Sequence, residues 1–245
     1  MKTNKYQRRF YRDWVNAKGL HLTRMVNKET DLEILTDKPM DKDFLRERIR
    51  QYRQDIESYI IKDKSFLSAL KPQSVELNAP AIVREMCRAA EIAGVGPMAA
   101  VAGAVAEFLG RDLLKKGYKE VIVENGGDIF IKARHARKIR IYAGKTKFSK
   151  KLCLKIKSKD TPLGICASSG TVGHSLSFGK ADVAVVFSKS SSLADAVATA
   201  TANRVAKKED LKEALTFASS IKSVTAAIII FKNQLICWGN LEFAD

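Results

Sequence analysis

Residues 191–203 read SSLADAVATATAN. Ser191, Asp195, Thr199 and Asn203 recur at intervals of four, so on a helix they form one line. Nearly everything between them is alanine, valine or leucine. A helix of this composition belongs in the interior, where a polar stripe is penalised unless something pairs with it. Ser192-Leu-Ala-Asp195 fits the S-x-x-D capping pattern, and Thr199 can bond the carbonyl of the preceding turn. Neither explains why the line continues. At i and i+4, Asp195 and Thr199 set a carboxylate and a hydroxyl one above the other. Such hard oxygen ligands suit Mg²⁺, with water, backbone carbonyls or phosphate completing the shell.

Around this helix the chain shows segregated rather than alternating elements. Residues 8–36 have strand-like apolar runs cut by AKG and NKET, which predicts a hairpin or meander. Residues 40–64 place Phe44, Ile49, Tyr52, Ile56, Tyr59 and Ile60 on one face of a charged helix. Helices are predicted over 79–94, ending in Gly94, and over 97–116, with Pro97 in the first turn and Gly117 past the end. Residues 119–134 read as strand, Gly-Gly turn and strand, and 138–157 as two basic strands. Residues 163–180, LGICASSGTVGHSLSFGK, are expected to be a small-residue loop region. A strand at 181–187, the 191–203 helix, a helix near 208–219 and a hairpin turning at 232–234 complete the chain. The class is α+β with mainly antiparallel pairing. A single domain over 1–245 is expected: meander and charged helix in 1–75, the motif-bearing core in 80–205, the closing helix and hairpin in 206–245.

An apolar fraction of 46% excludes disorder as the main state. The longest mostly apolar run, 92–106, is shorter than the roughly 20 residues of a membrane span. The basic start MKTNKYQRRFYRDW has no apolar segment behind it and no lipid-attachment cysteine. Cys87, Cys153, Cys166 and Cys237 are spread without a C-x-x-C. A cytoplasmic protein with no membrane partner is the expectation.

The chain has 43 Lys and Arg against 27 Asp and Glu, and eleven of those cations lie between Lys132 and Lys157, where there is no acid. The segment is either the solvated face of two strands, a cationic wall beside a phosphorylated ligand, or a nucleic-acid surface. Its only aromatics are Tyr142 and Phe148, and no zinc finger, RNA-binding sheet signature or KH motif occurs, so nucleic acid ranks low.

Two further stretches carry candidate chemistry. In ENGGDIFI, 124–131, Gly126 and Gly127 are first of all a turn, yet bare backbone there also admits an anion or a ring system. CASSGTVGHS, 166–175, has glycines and hydroxyls that can wrap phosphate, through Ser168, Ser169, Gly170, Thr171 and Gly173. It is neither a Walker motif nor a G-x-S-x-G elbow. His174 is the one histidine among these residues and the general-base candidate. Cys166 is either an inert thiol or a nucleophile whose pKa is lowered by His174 or the local positive field. As a carrier of persulfide, Cys166 would make this a sulfur-assimilation protein; a non-catalytic binding protein is a further alternative.

Read in series, GVGPMAAVAGAVAEFLG (94–110), VENGGDI (123–129), SSG…GH (168–174) and ADAVAT (194–199) resemble the ApbE superfamily of FAD:protein FMN transferases, closest to its uncharacterised cytoplasmic branch. The resemblance covers roughly 80–205. It implies a T-fold-like antiparallel sheet backed by helices, and a cleft for FAD, FMN or another small phosphorylated ligand with Mg²⁺. It implies Asp195, Thr199 and the backbone carbonyl of Ala99 as metal ligands, and Asn125, Gly126, Gly127 and Asp128 as the turn against which a flavin lies. It implies His174 near the reacting phosphate, phosphate-bond transfer or cleavage as the activity, and association into homodimers. The chain differs from the transferases at Ala100, where they carry lysine, and at Ser175, Leu176, Ser177 and Phe178 after the histidine.

Overall fold

The computed structural model describes residues 18–144, 146–149, 152–169 and 179–244. Its framework is an eight-stranded sheet in the order β1-β2-β3-β4-β7-β8-β9-β10, with every neighbouring pair antiparallel. The strands are β1 His21–Asn27, β2 Thr30–Thr36, β3 Val121–Asn125, β4 Asp128–Lys132, β7 Leu163–Ser168, β8 Val183–Ser188, β9 Val224–Phe231 and β10 Gln234–Gly239. A second sheet, in the order β11-β6-β5, is built from β5 Arg137–Arg140, β6 Cys153–Ile156 and β11 Phe243–Ala244. The helices are α1 Lys42–Lys62, a single turn α2 Ser65–Ser68, α3 Ala81–Ala93, α4 Val101–Lys115, α5 Ser191–Asn203 and α6 Asp210–Ser220. Mixed helix and antiparallel sheet is the class that the sequence predicts.

Alternation along the strands sorts the layers. Phe130, Cys166 and Val186 pack under the helices, while their neighbours Ile129, Ile131, Ile165, Val185 and Phe187 face the small sheet. The large sheet is thus covered on both sides: helices on one face, Ile139, Leu154 and Ile156 of the small sheet on the other. Burial of both faces explains why β3 and β8 read as continuous apolar runs rather than alternating ones.

Local chemistry accounts for most boundaries. Asp41 caps α1 by accepting from the Phe44 amide, and Leu45, Ile49, Tyr52, Ile56 and Tyr59 form its buried stripe. Gly94, at φ +72°, ends α3 in the left-handed conformation. After Gly96 the chain makes a 3₁₀ turn, Pro97–Ala100, and turns through 102° from α3 into the following helix. No single described helix is long and apolar enough to cross a membrane. Gly126 and Gly127, at φ +70° and +108°, make the two-residue turn between β3 and β4.

The stretch expected as a loop from 163 to 180 begins instead with β7, a central strand between β4 and β8. Its small residues fit it to α5. A Cβ on Gly164 would sit 2.4 Å from the Ser191 Cα, so only glycine lets strand and helix come this close. The helix α5 is buried along almost its whole length, held between α3, α4 and α6 and the strands β7 and β8.

Candidate functional site

The polar stripe of α5 finds its partners on three neighbouring elements. At the top, the Ser191 hydroxyl donates to the Ile129 carbonyl of β4 (3.3 Å), and the Ser191 carbonyl accepts the Cys166 thiol of β7 (3.3 Å). One turn on, the Asp195 carboxylate accepts the Gly103 amide at 2.9 Å and also bonds the Ala102 amide. Those amides belong to the first turn of α4, whose capping position, Ala100, offers no side chain. Asp195 therefore caps α4 from another helix, where the amides and the helix dipole favour negative charge. A further turn on, the Thr199 hydroxyl meets the Ser168 hydroxyl at 3.4 Å.

This geometry corrects the capping-box expectation. The residue that caps α5 is Ser190, whose hydroxyl accepts from the Leu193 amide. Ser192 lies inside the helix and, with Ser190, donates to Glu107, whose carboxylate takes the Ser192 amide (3.1 Å) as well. Asp195 instead bonds the Ala102 and Gly103 amides, one turn before Glu107 on the same helix α4. The acid that serves the start of α5 is thus Glu107, 85 residues before Ser192, and its sequence signal was a lone acid in the apolar run AVAEFLG.

Asp128 completes the cluster. It begins β4 directly after the Gly-Gly turn, accepts the Ala167 amide at 3.2 Å, and bonds the Cys166 thiol. Asp195, Asp128, Thr199 and Ser168 are 7%, 6%, 4% and 5% exposed. Among the described residues, neither Asp128 nor Asp195 has an ion-pair partner. Burial pushes the Asp195 carboxyl up to about 7 in spite of the two amides that oppose the shift. Asp128 is raised well above the usual carboxylate range by burial first and then by the charge of Asp195. Two carboxyls buried together, with no cation paired to them among the described residues, favour a shared proton or a bound metal ion.

The donor chemistry fits a hard cation. Among the described residues no three His, Cys, Asp or Glu side chains are grouped to hold a metal. What the site offers are carboxylates, the Thr199 hydroxyl and backbone carbonyls, oxygen donors suited to Mg²⁺ and unlike a zinc site. Ala99, half-buried in the 3₁₀ turn, lies on an element packed against α5.

The other predicted residues divide sharply. Asn125 donates to the Ala102 carbonyl (3.2 Å), which ties the β3–β4 turn to the same first turn of α4 that Asp195 holds. The Gly127 amide donates to the Glu124 carboxylate at 2.7 Å, so this donor is already engaged within the turn, while Gly126 is exposed. Ser169 is half-buried beyond Ser168. Gly170, Thr171, Gly173 and His174 lie outside the described residues. The described residue Gly179 lies against the end of α5, where an added Cβ would be 1.8 Å from the Ala202 carbonyl. Cys166 is fully buried, and its thiol is raised well above its ordinary value by burial and by Asp128 and Asp195. A nucleophilic or persulfide-carrying cysteine needs the reverse, a thiolate stabilised by positive charge.

The described strands of the basic segment are not beside this cluster. These strands, β5 and β6, cover the face of the large sheet opposite α5. Arg137 is turned inward, paired with buried Glu120 at 2.6 Å, and Lys132 donates to the Thr161 carbonyl.

Comparison with known proteins shows the family. A UPF0280 protein of Methanocaldococcus jannaschii is 40% identical over 226 residues, covering 89% of this chain and 90% of its own. One of Archaeoglobus fulgidus is 38% identical over 221 residues, covering 87% and 90%. Among solved structures, the flavin transferase ApbE of Vibrio cholerae superposes with a TM-score of 0.61 at 12% identity, over 89% of this chain and 97% of that one. The ApbE protein of Thermotoga maritima gives 0.60 at 11%, over 92% and 97%. At such low identity these two show a shared fold. The family model described as AbpE bacteria matches residues 12–236. With that match, and with UPF0280 relatives along nearly nine tenths of its length, the chain belongs to the ApbE-like superfamily.

Proposed function

We propose that the chain binds a flavin nucleotide, FAD or FMN, together with Mg²⁺ at the Asp128–Asp195 cluster, and cleaves or transfers a phosphate bond there. The observation that carries this reading is the pair of buried carboxyls, Asp195 at the first turn of α4 and Asp128 at the start of β4, without a counter-charge among the described residues, in a fold shared with flavin transferases. Asp195 and Thr199 would hold the metal, with the Ala99 carbonyl from the adjoining turn. When bound, Mg²⁺ supplies positive charge that offsets the phosphate oxygens. In the turn Asn125–Gly126–Gly127–Asp128, exposed Gly126 and half-buried Gly127 offer the isoalloxazine ring bare backbone between the buried Asn125 and Asp128. Ser168, Ser169, Gly170, Thr171 and Gly173 supply N–H and hydroxyl donors to phosphate, and His174 takes a proton from the attacking group. The amides of Ala102 and Gly103 keep Asp195 oriented, so no ordering of that carboxylate is needed on binding. The low exposure of the cluster favours strong electrostatics with little competing water.

Equilibrium dialysis against FAD, with and without Mg²⁺, tests the reading. Uptake that requires Mg²⁺ and falls at least tenfold in Asp195→Asn is expected, since the amide keeps the shape and loses the charge. Uptake of FAD equal in Asp195→Asn and the parent protein would overturn it. Cys166→Ser should leave uptake within a factor of about three, because a buried, protonated thiol contributes packing and one weak hydrogen bond.

A further inference from the structure

The first amides of a helix lack acceptors within it, and α4 and α5 each take one from the other. Asp195, one turn after Ser191 on α5, accepts the Gly103 amide of α4 at 2.9 Å. Glu107, one turn after Gly103 on α4, accepts the Ser192 amide of α5 at 3.1 Å. The same Glu107 oxygen takes the hydroxyls of Ser190 (2.9 Å) and Ser192 (3.3 Å). Between the two carboxylates the helices touch. A Cβ on Gly103 would lie 2.3 Å from the Ser191 carbonyl oxygen and 2.8 Å from the Asp195 Cβ. A step up α4 from Gly103 to Glu107 thus corresponds to a step down α5 from Asp195 to Ser192, with a cap at each end of the contact. A slide of either helix by one residue, about 1.5 Å, disturbs both bonds at once. The two acids differ in one respect: Glu107 is paired with Arg111 at 2.7 Å, and Asp195 has no ion-pair partner among the described residues.

We infer that Glu107 is a positioning residue for the cluster: by capping α5 from α4 it fixes where the Asp195 carboxylate stands, and so how well that carboxylate meets a bound cation. The second half of this inference rests on the Mg²⁺ reading; the reciprocal caps do not. The donors of that reading come from two elements, Asp195 and Thr199 from α5 and the Ala99 carbonyl from the 3₁₀ turn that leads into α4. Their spacing is therefore only as fixed as the register of α4 on α5. Mg²⁺ demands near-ideal octahedral geometry at about 2.0–2.1 Å, whereas Ca²⁺ accepts variable coordination at about 2.3–2.6 Å. A loosened register penalises Mg²⁺ more than Ca²⁺, and a general loss of stability does not discriminate between them. Arg111 neutralises Glu107 from the same helix and is half exposed, so its removal separates charge from position. Glu85 of α3 stands 3.3 Å from the Ser190 hydroxyl, which leaves the start of α5 a second anchor when Glu107 is changed.

Two measurements on the full chain test the inference. Amide hydrogen exchange of the metal-free protein reads the caps directly. Glu107→Gln should speed exchange at Gly103 by about fivefold, although Gly103 keeps its own acceptor, and Asp195→Asn should do the same at Ser192. Arg111→Gln, which spares the contacts with α5, should leave both within about twofold. Glu107→Asp keeps the charge with a shorter reach, and should give a smaller change in the same direction if Glu107→Gln folds poorly. Isothermal titration calorimetry with Mg²⁺ alone, then Ca²⁺ alone, reads the consequence at a temperature where the variant is folded. Glu107→Gln should weaken Mg²⁺ by about fivefold and Ca²⁺ by less. Exchange at Gly103 that ignores both Glu107 variants would overturn the inference, and so would faster exchange with an unchanged Mg²⁺ affinity. A parent protein that shows the coupled exchange and takes up no Mg²⁺ would sink the metal reading instead, leaving Glu107 as the residue that sets where Asp195 stands.

Discussion

A carboxyl pair under the helices and the cations of the small sheet lie on opposite sides of the large sheet, and their charges behave in opposite ways. On the helix side, Asp128 and Asp195 are buried with no ion-pair partner among the described residues, and burial raises both carboxyls above the ordinary carboxylate range. On the other side, Lys138 and Arg140 stay in solvent, and water and salt screen them. Burial is what separates the two. The same number of like charges is a strong perturbation in a dry site and a mild one on a wet sheet, so the first dictates local chemistry and the second governs long-range attraction.

The largest effect should come from unseating α5. Gly164→Val would press a side chain into the Ser191 backbone, which cannot give as a flexible side chain can. A loss of about 3 kcal/mol or more is expected in denaturant unfolding, against little change for a substitution on the outer face of β5. A variant that unfolds normally and keeps FAD uptake would break the claim that close packing of β7 on α5 builds the cluster.

The next effect is pH dependence with an unusual sign. Asp195 titrates near 3.8 in the unfolded chain and is held up to about 7 in the folded one. Across that window the native state keeps a proton that the unfolded state has lost, so its stabilising contribution is complete below 3.8 and drains away as pH rises to 7. The upward shift of Asp128 adds in the same direction. In the metal-free protein the melting temperature should fall by several degrees from pH 5 to pH 7.5, and Asp195→Asn should flatten the decline. Added Mg²⁺ should raise the melting temperature more at pH 7.5 than at pH 5, because there it no longer competes with bound protons. A melting temperature that rises with pH and ignores Mg²⁺ would count against an uncompensated carboxylate pair.

The smallest effect belongs to the basic face. Arg140→Gln removes one exposed charge from β5 and keeps a long polar side chain. A change within about 0.5 kcal/mol is expected by thermal unfolding. A loss comparable to that of Gly164→Val would erase the contrast between the buried and the exposed side.

Local signals were legible from the residues alone. The stripe of α1, the Gly-Gly turn, the glycine stop after Gly94, the closing hairpin and the buried character of α5 are short-range matters of periodicity and backbone conformation. The motif series also named Asp195, Asn125 and Asp128, whose side chains bond at the starts of α4 and β4 and the end of β7, and Thr199, which meets Ser168 at the end of β7. What misled was composition read without context: LGICAS looks like a loop because it is small, and it is small because a helix lies across it.

Tertiary structure decided the rest, for a reason of range. The Gly103 amide and the Asp195 carboxylate are 92 residues apart, and the contact that makes this aspartate a cap for a distant helix leaves no trace in local spacing. Whether Cys166 would be reactive or inert depended on two carboxyls brought in from β4 and α5. Which cations face solvent and which turn inward depended on the pleat and on Glu120 and Glu242, remote in the chain. A sequence specifies which groups exist and which element carries each; only the packed sheet, by removing water from one side and leaving it on the other, determines what their charges do.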